Sequence, residues 1–163
     1  MAWVLASFAG VASAQASLPE RDLKAQIVVR SLLFVEWPVS AGAAGQPLVL
    51  CVTDSHPMAE ALERLAGQPI NGRRLEVRRT TAAGLAPCQV VVLGTQALAA
   101  LKAPPRGLLS ISDAPGAADL GVMINLQTDQ DRVVFDVNLN AVRSAGLEIS
   151  TRLLRLARFV RRD

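Results

Sequence analysis

The chain alternates between short, wholly apolar runs and segments whose apolar residues recur at helical spacing. Residues 48–53, 88–93 and 108–111 are apolar nearly throughout and read as strands, the first as a central strand covered on both faces. Residues 74–78 instead alternate (Arg-Leu-Glu-Val-Arg), as a half-exposed edge strand does, with arginines that discourage edge-to-edge pairing. Asn71-Gly72 just before them marks a turn. Residues 122–126 and 132–138 are two further β-rich runs around the polar stretch Gln-Thr-Asp-Gln-Asp, which predicts a hairpin.

Helical periodicity fills the remaining segments. Residues 17–38 predict one helix: Ser17 and Glu20 have the spacing of a capping box, Leu23, Ile27, Ser31 and Phe34 share a face, and Pro38 is the stop. Asp54 or Ser55 is expected to cap a helix carrying Met58, Leu62 and Leu65 and ending at Gly67. Thr95 caps another, through Leu98 and Leu101, closed by Pro104-Pro105. Asn138 or Asn140 caps a short helix ending at Gly146. Ser150 caps a final helix with Leu153, Leu156, Ala157 and Val160 on its apolar face. Strands alternating with helices predict an α/β fold: a single layered domain with a mixed β-sheet flanked by helices, finished by a β-hairpin and a C-terminal helix.

Composition narrows this picture. A length of 163 residues suits one domain. Hydrophobic residues make up 51% and aromatics only 4%, with no Tyr, so the core is expected to be aliphatic and few rings are left to stack on bases. The first residues are apolar and end in Ala12-Ser13-Ala14, the form of a cleaved signal peptide, although no Lys or Arg precedes the run. Cleavage is expected after Ala14, or after Ala16 where the same small-x-small pattern repeats, leaving a domain over residues 17–161. The apolar run is too short to span a bilayer with ease, and no other run is longer. Net charge is +3, with arginines clustered at Arg73, Arg74, Arg78 and Arg79 and again at Arg152, Arg155, Arg158, Arg161 and Arg162. Such clusters suit nucleic acid, an anionic membrane or a solvated face; export argues against nucleic acid, and the C-terminal cluster could also meet an acidic partner.

Candidate chemistry is sparse. Cys51 and Cys88 would pair in an oxidising compartment, or remain two buried thiols that never meet. His56 is the only histidine and reads as a surface residue beside a helix cap; nothing near it in sequence would orient a Cys–His pair. No cluster of ligands has zinc spacing, and Asp129 and Asp131 lack the Gly and distal Glu of a calcium loop. Asp113 and Asp119 read as loop residues. Gly94 stands between strand and helix, but without further glycines or a Gly-Lys-Ser/Thr. No nucleophile elbow is present. The expectation is a protein without catalytic residues, metal or cofactor. Phe34 and Trp37 read as core residues, or, for Trp37, as part of an interface; Arg152, Arg155 and Arg158 form a second candidate surface.

Several segments together resemble the YfiR family. They are Phe34-Val35-Glu36-Trp37-Pro38, Leu50-Cys51-Val52, Val91-Val92-Leu93-Gly94, Leu109-Ser110-Ile111-Ser112-Asp113, and the stretch from Gly121 to Ala157 that includes Phe135-Asp136-Val137-Asn138-Leu139 and Ala145-Gly146-Leu147-Glu148-Ile149-Ser150. The departures are small: Val122 where a second Gly is common, Asp136 for Glu, Thr151 for Ser, and no second cysteine pair. The resemblance implies a periplasmic, non-enzymatic repressor. Such a protein binds the periplasmic sensor region of an inner-membrane diguanylate cyclase, lowering cyclic di-GMP and biofilm formation. It also implies sequestration by an outer-membrane lipoprotein, a homodimer, and a Cys51–Cys88 disulfide whose redox state could tune the repressor. The alternative is a periplasmic small-molecule-binding sensor that feeds a membrane receptor or kinase.

Overall fold

Six consecutive buried residues make Leu48–Thr53 (β2) the centre of the molecule. Alternate side chains of a strand point to opposite faces, so Leu48, Leu50 and Val52 enter one core while Val49 and Cys51 enter another. Val90–Leu93 (β5) lies parallel to β2 with Leu50 opposite Val90, and divides its side chains in the same way. Arg73–Thr80 (β4) pairs in parallel with the other edge of β2, and Leu109–Ser112 (β6) with the far edge of β5. The computed structural model describes residues 17–162 apart from 43, 82, 100 and 102, so the segment read as a signal peptide lies outside the described residues.

From β6 the sheet continues through Ile124–Asp129 (β7), parallel to it, and returns through a hairpin to Arg132–Asn138 (β8). Phe159–Arg161 (β10) pairs in parallel with β8, and Pro69–Ile70 (β3) pairs antiparallel with the start of β4. The resulting eight-stranded order is β10-β8-β7-β6-β5-β2-β4-β3. Val35–Glu36 (β1) and Glu148–Ile149 (β9) form a separate two-stranded ladder. Glu20–Ser31 (α1), Ala59–Arg64 (α2) and Leu139–Ser144 (α4) cover the larger core, with Leu153 of Thr151–Leu154 (α5). The opposite face is thinner. It is closed by Leu98 of Thr95–Leu98 (α3), by Ala114, Ala117 and Val122, and by the Cys51–Cys88 disulfide, whose Cα atoms are 5.8 Å apart.

The mixed α/β architecture is the one the periodicity predicts, and the hairpin is present. Its turn tightens to Gln130-Asp131, with φ of 47° and 61°, the mirror-image geometry that matches strand twist; Asn71-Gly72 does the same between β3 and β4. Asn138 and Ser150 cap their helices by accepting the N–H groups of Ala141 and Arg152. Other boundaries moved. Ser17 makes no cap for α1, whose N-cap is Pro19, and Glu20 turns instead to Lys24 and Thr128. The helix ends at Ser31 rather than near Pro38, because the apolar run after it leaves as a 3-10 turn and then as β1, where its backbone pairs with β9. Its buried residues are Lys24, Ala25, Val28, Val29 and Ser31; of the expected face, Ser31 is buried while Leu23, Ile27 and Phe34 are only half-buried. Asp54 and Ser55 do not cap α2, whose N-cap is Met58, and Gly94 rather than Thr95 precedes α3. The final helix stops at Leu154, and the chain turns into β10 with the Arg158 N–H donating to the Phe135 carbonyl. Leu156 and Phe159 consequently stand 70% and 66% exposed.

The thin face gives the disulfide a measurable weight. It closes a separation of 37 residues, so replacing both cysteines by alanine is expected to lower the urea-unfolding free energy by about 4 kcal/mol. A loss below about 1 kcal/mol would mean that the thin core holds without its cross-link.

Candidate functional site

The strand order reverses direction between β2 and β5: the chain passes from β2 outward to β4, then returns to β5 and proceeds outward through β6. At such a switch point the loops leaving the carboxyl ends of adjacent strands diverge and leave a crevice. Here it is a cleft of about 640 Å³, walled by Thr53 at the end of β2 and His56 after it, Thr80 at the end of β4, Gly94 and Thr95 after β5, and Asp113 after β6. The Thr53 Oγ1 accepts the Gly94 N–H at 3.3 Å and ties the two central strand ends together.

Asp113 is placed by its neighbours in the chain and across it. Ser112 Oγ donates to the Leu93 carbonyl at 2.7 Å and accepts the Ala114 N–H at 3.1 Å. Buried Asn125 donates from Nδ2 to the carbonyls of Ser112 and Ala114, both at 3.0 Å. The turn that carries Asp113 is thereby pinned from β5 and β7. Its carboxylate meets Lys24 Nζ of α1 at 3.1 Å through Oδ2 and approaches His56 Nε2 at 3.2 Å through Oδ1. Lys24 is also paired with Glu20 at 2.6 Å, and Glu20 accepts the Thr128 hydroxyl of β7.

His56 is not the surface residue its position beside a helix start suggested. It is 5% exposed, because the turn that follows Thr53 folds inward over the end of the sheet. Its Nδ1 accepts the Met58 N–H at 3.1 Å, which leaves the ring proton on Nε2, facing Asp113. That Nε2 is enclosed by protein, with the Asp113 carboxylate as the polar group beside it. Burial alone would push the Asp113 carboxyl up; the His56 ring and the Lys24 ammonium outweigh it and hold the carboxyl at about 2. Lys24 is likewise pushed down by burial, and its two carboxylate partners reverse this and raise it. A histidine held by Asp without a nucleophile on its far nitrogen is not a hydrolase triad, since the second nitrogen is occupied by a backbone N–H. Among the described residues no group of three or more His, Cys, Asp or Glu is placed to hold a metal ion.

The residues singled out in the sequence lie elsewhere. Trp37 is half-buried against the larger core, and its Nε1 donates to the Gln89 carbonyl at 3.2 Å. Gln89 itself stitches the amino ends of the strands, its Oε1 accepting the Val49 N–H and its carbonyl the Leu109 N–H. Trp37 is therefore latched to the end of the sheet opposite the cleft. Arg158 is not part of a free arginine face: it grips Asp136 through two nitrogens at 3.0 and 2.7 Å, donates to Gln127, and lies 5.2 Å from the Phe159 ring centroid. Arg152 and Arg155 are exposed. Asp113 and His56 were in view in the sequence only as bland residues. The available signal was Lys24, which falls on the buried side of α1 and requires an acidic partner.

Asp113 ties α1 to the sheet ends, and its depressed pKa makes that tie sensitive to acid. Its stabilisation is complete above the unfolded carboxyl value and is lost as pH falls through the folded value of about 2. Asp113→Asn is expected to lower stability at neutral pH and to flatten the acid limb between about 3.8 and 2, read by thermal melts across pH. An unchanged acid limb would remove Asp113 from the linkage. Residues 21–158 match the model of the YfiR/HmsC-like family, so the chain belongs to that family.

Proposed function

We propose that the protein is an exported repressor: a domain of residues 17–161, released after Ala14 or Ala16, that binds the periplasmic sensor region of an inner-membrane diguanylate cyclase and holds it inactive. The observation that carries this reading is the family match over residues 21–158, which supports a periplasmic regulator of a diguanylate cyclase at the level of the family. The Cys51–Cys88 disulfide fits an oxidising compartment. Among the described residues no helix is long and apolar enough to cross a membrane. In physical terms the repressor must bind the inactive sensor state more tightly than the active one, and so shift the cyclase population.

Capture by an outer-membrane lipoprotein would reverse this, and a homodimer would present two copies of the binding surface. Arg152 and Arg155 are the cationic side chains we assign to partner encounter, since both are exposed. Arg158 orders the segment behind them through Asp136. Trp37 is assigned to an interface only through its half-exposed edge, because its indole N–H is already bound.

Deleting the gene is expected to raise cellular cyclic di-GMP, and re-expression to restore it. Re-expression of Arg152→Glu/Arg155→Glu should restore less while the purified variant melts at the wild-type temperature, because the change lies at a charged surface that steers encounter. Unchanged cyclic di-GMP on deletion would contradict repression; full restoration by the variant would contradict the arginine surface.

A further inference from the structure

We propose that the outer edge of β10 takes up one strand of the partner protein, an extended segment that alternates acidic and apolar side chains. The proposal rests on the reading of the protein as a repressor that acts by binding, and it names the surface that binds and the conformation it captures.

A sheet edge presents a row of backbone N–H and C=O groups that a second chain can pair. Among the described residues the eight-stranded sheet ends at β3 and β4 on one side and at β10 on the other. The two edges differ in chemistry. On β4, Arg78 pairs with Glu76 and Arg79 with Glu63, and neither Leu75 nor Val77 is exposed. A charged edge of this kind discourages a further strand.

The β10 edge is apolar instead. Phe159 is 66% exposed, and Leu156, in the turn that leads into the strand, is 70% exposed. Arg161 donates to Asp119 at 2.6 Å and so holds the 3-10 turn Ala117–Leu120 alongside, where Leu120 is 63% exposed. Exposed large apolar side chains grouped in this way mark an interaction surface. Val160 packs against the larger core, while Phe159 and Arg161 turn to the opposite face and line a groove of about 200 Å³ over β7 and β8. That volume is below the range of small-molecule sites and suits a side chain of a neighbouring strand.

Charge sets the occupant. Residues 151–162 hold five arginines and no acidic residue. Asp136 and Asp119 match Arg158 and Arg161, whereas Arg152 and Arg155 are exposed with no acidic partner among the described residues. A second copy of this chain would bring the same arginines together, and like charges across a strand pair are unfavourable. An acidic strand is attracted. Its alternate side chains face opposite ways: the apolar set covers Phe159 and enters the groove, and the acidic set lies on the face of Val160 and Leu153, the side of α5 with Arg152 and Arg155.

The test uses the full-length cyclase in phosphatidylcholine nanodiscs and the purified, disulfide-bonded protein. Affinity is read by biolayer interferometry and the footprint by hydrogen–deuterium exchange. Binding is expected to slow exchange in peptides covering residues 156–162 and to leave residues 73–80 unchanged. Leu156→Ser/Phe159→Ser, at two exposed positions, should weaken binding about tenfold, as loss of an apolar anchor does, with the melting temperature kept as a folding control. If that double variant fails to fold, Leu156→Ser alone, outside the strand, decides in the same direction. No binding by the wild type overturns the repressor reading and this proposal with it. Binding without protection of residues 156–162, or with wild-type affinity in the variants, overturns the strand alone. So does self-association of the free protein, or its binding to empty phosphatidylglycerol nanodiscs, that the same variants abolish, since the edge then belongs to a second copy or to a lipid surface.

Discussion

Burial on both faces of β2 and β5 is the constraint from which the rest of the structure follows. Two parallel strands whose every residue is buried need a layer above and a layer below. The larger layer is built by α1, α2 and α4 with an aliphatic interior. The second is assembled from one short helix, a loop and a 3-10 turn, too little apolar surface for a full helical layer. The disulfide lies in that thin layer, joining β2 to Cys88, two residues before the start of β5. Covalent cross-linking thus acts where packing is weakest.

The same arrangement creates the crevice at the strand ends, and Asp113 organises it. The half-buried carboxylate there is compensated by Lys24 from α1, with His56 beside it from the turn after β2. Three segments far apart in sequence meet on one side chain, which the Ser112 and Asn125 hydrogen bonds hold in place. Whatever displaces that carboxylate acts at once on α1 and on the sheet.

Elements governed by local chemistry were legible in the sequence. The apolar runs of β2 and β5, the alternation of β4, the hairpin, and the caps at Asn138 and Ser150 all obey short-range rules. The errors arose where long-range pairing decides between two local possibilities. Residues 32–35 suit a helix or a strand, and β9 claims Val35. Residues 153–160 carry helical spacing, yet the free edge of β8 draws residues 159–161 into the sheet, and Arg158 secures the turn through Asp136. His56 and Asp113 are 57 positions apart, so no spacing rule joins them. Lys24 amid the buried residues of α1 was the one visible trace of the cluster.

Regulation by capture makes a direct demand on the cyclase itself. The decisive measurement is the rate of cyclic di-GMP synthesis by the full-length membrane cyclase in oriented proteoliposomes, with the purified, oxidised domain added on the periplasmic side. Repression predicts a saturable fall in that rate as the domain is added. A rate that stays constant while the domain is shown to be folded and in excess would contradict it.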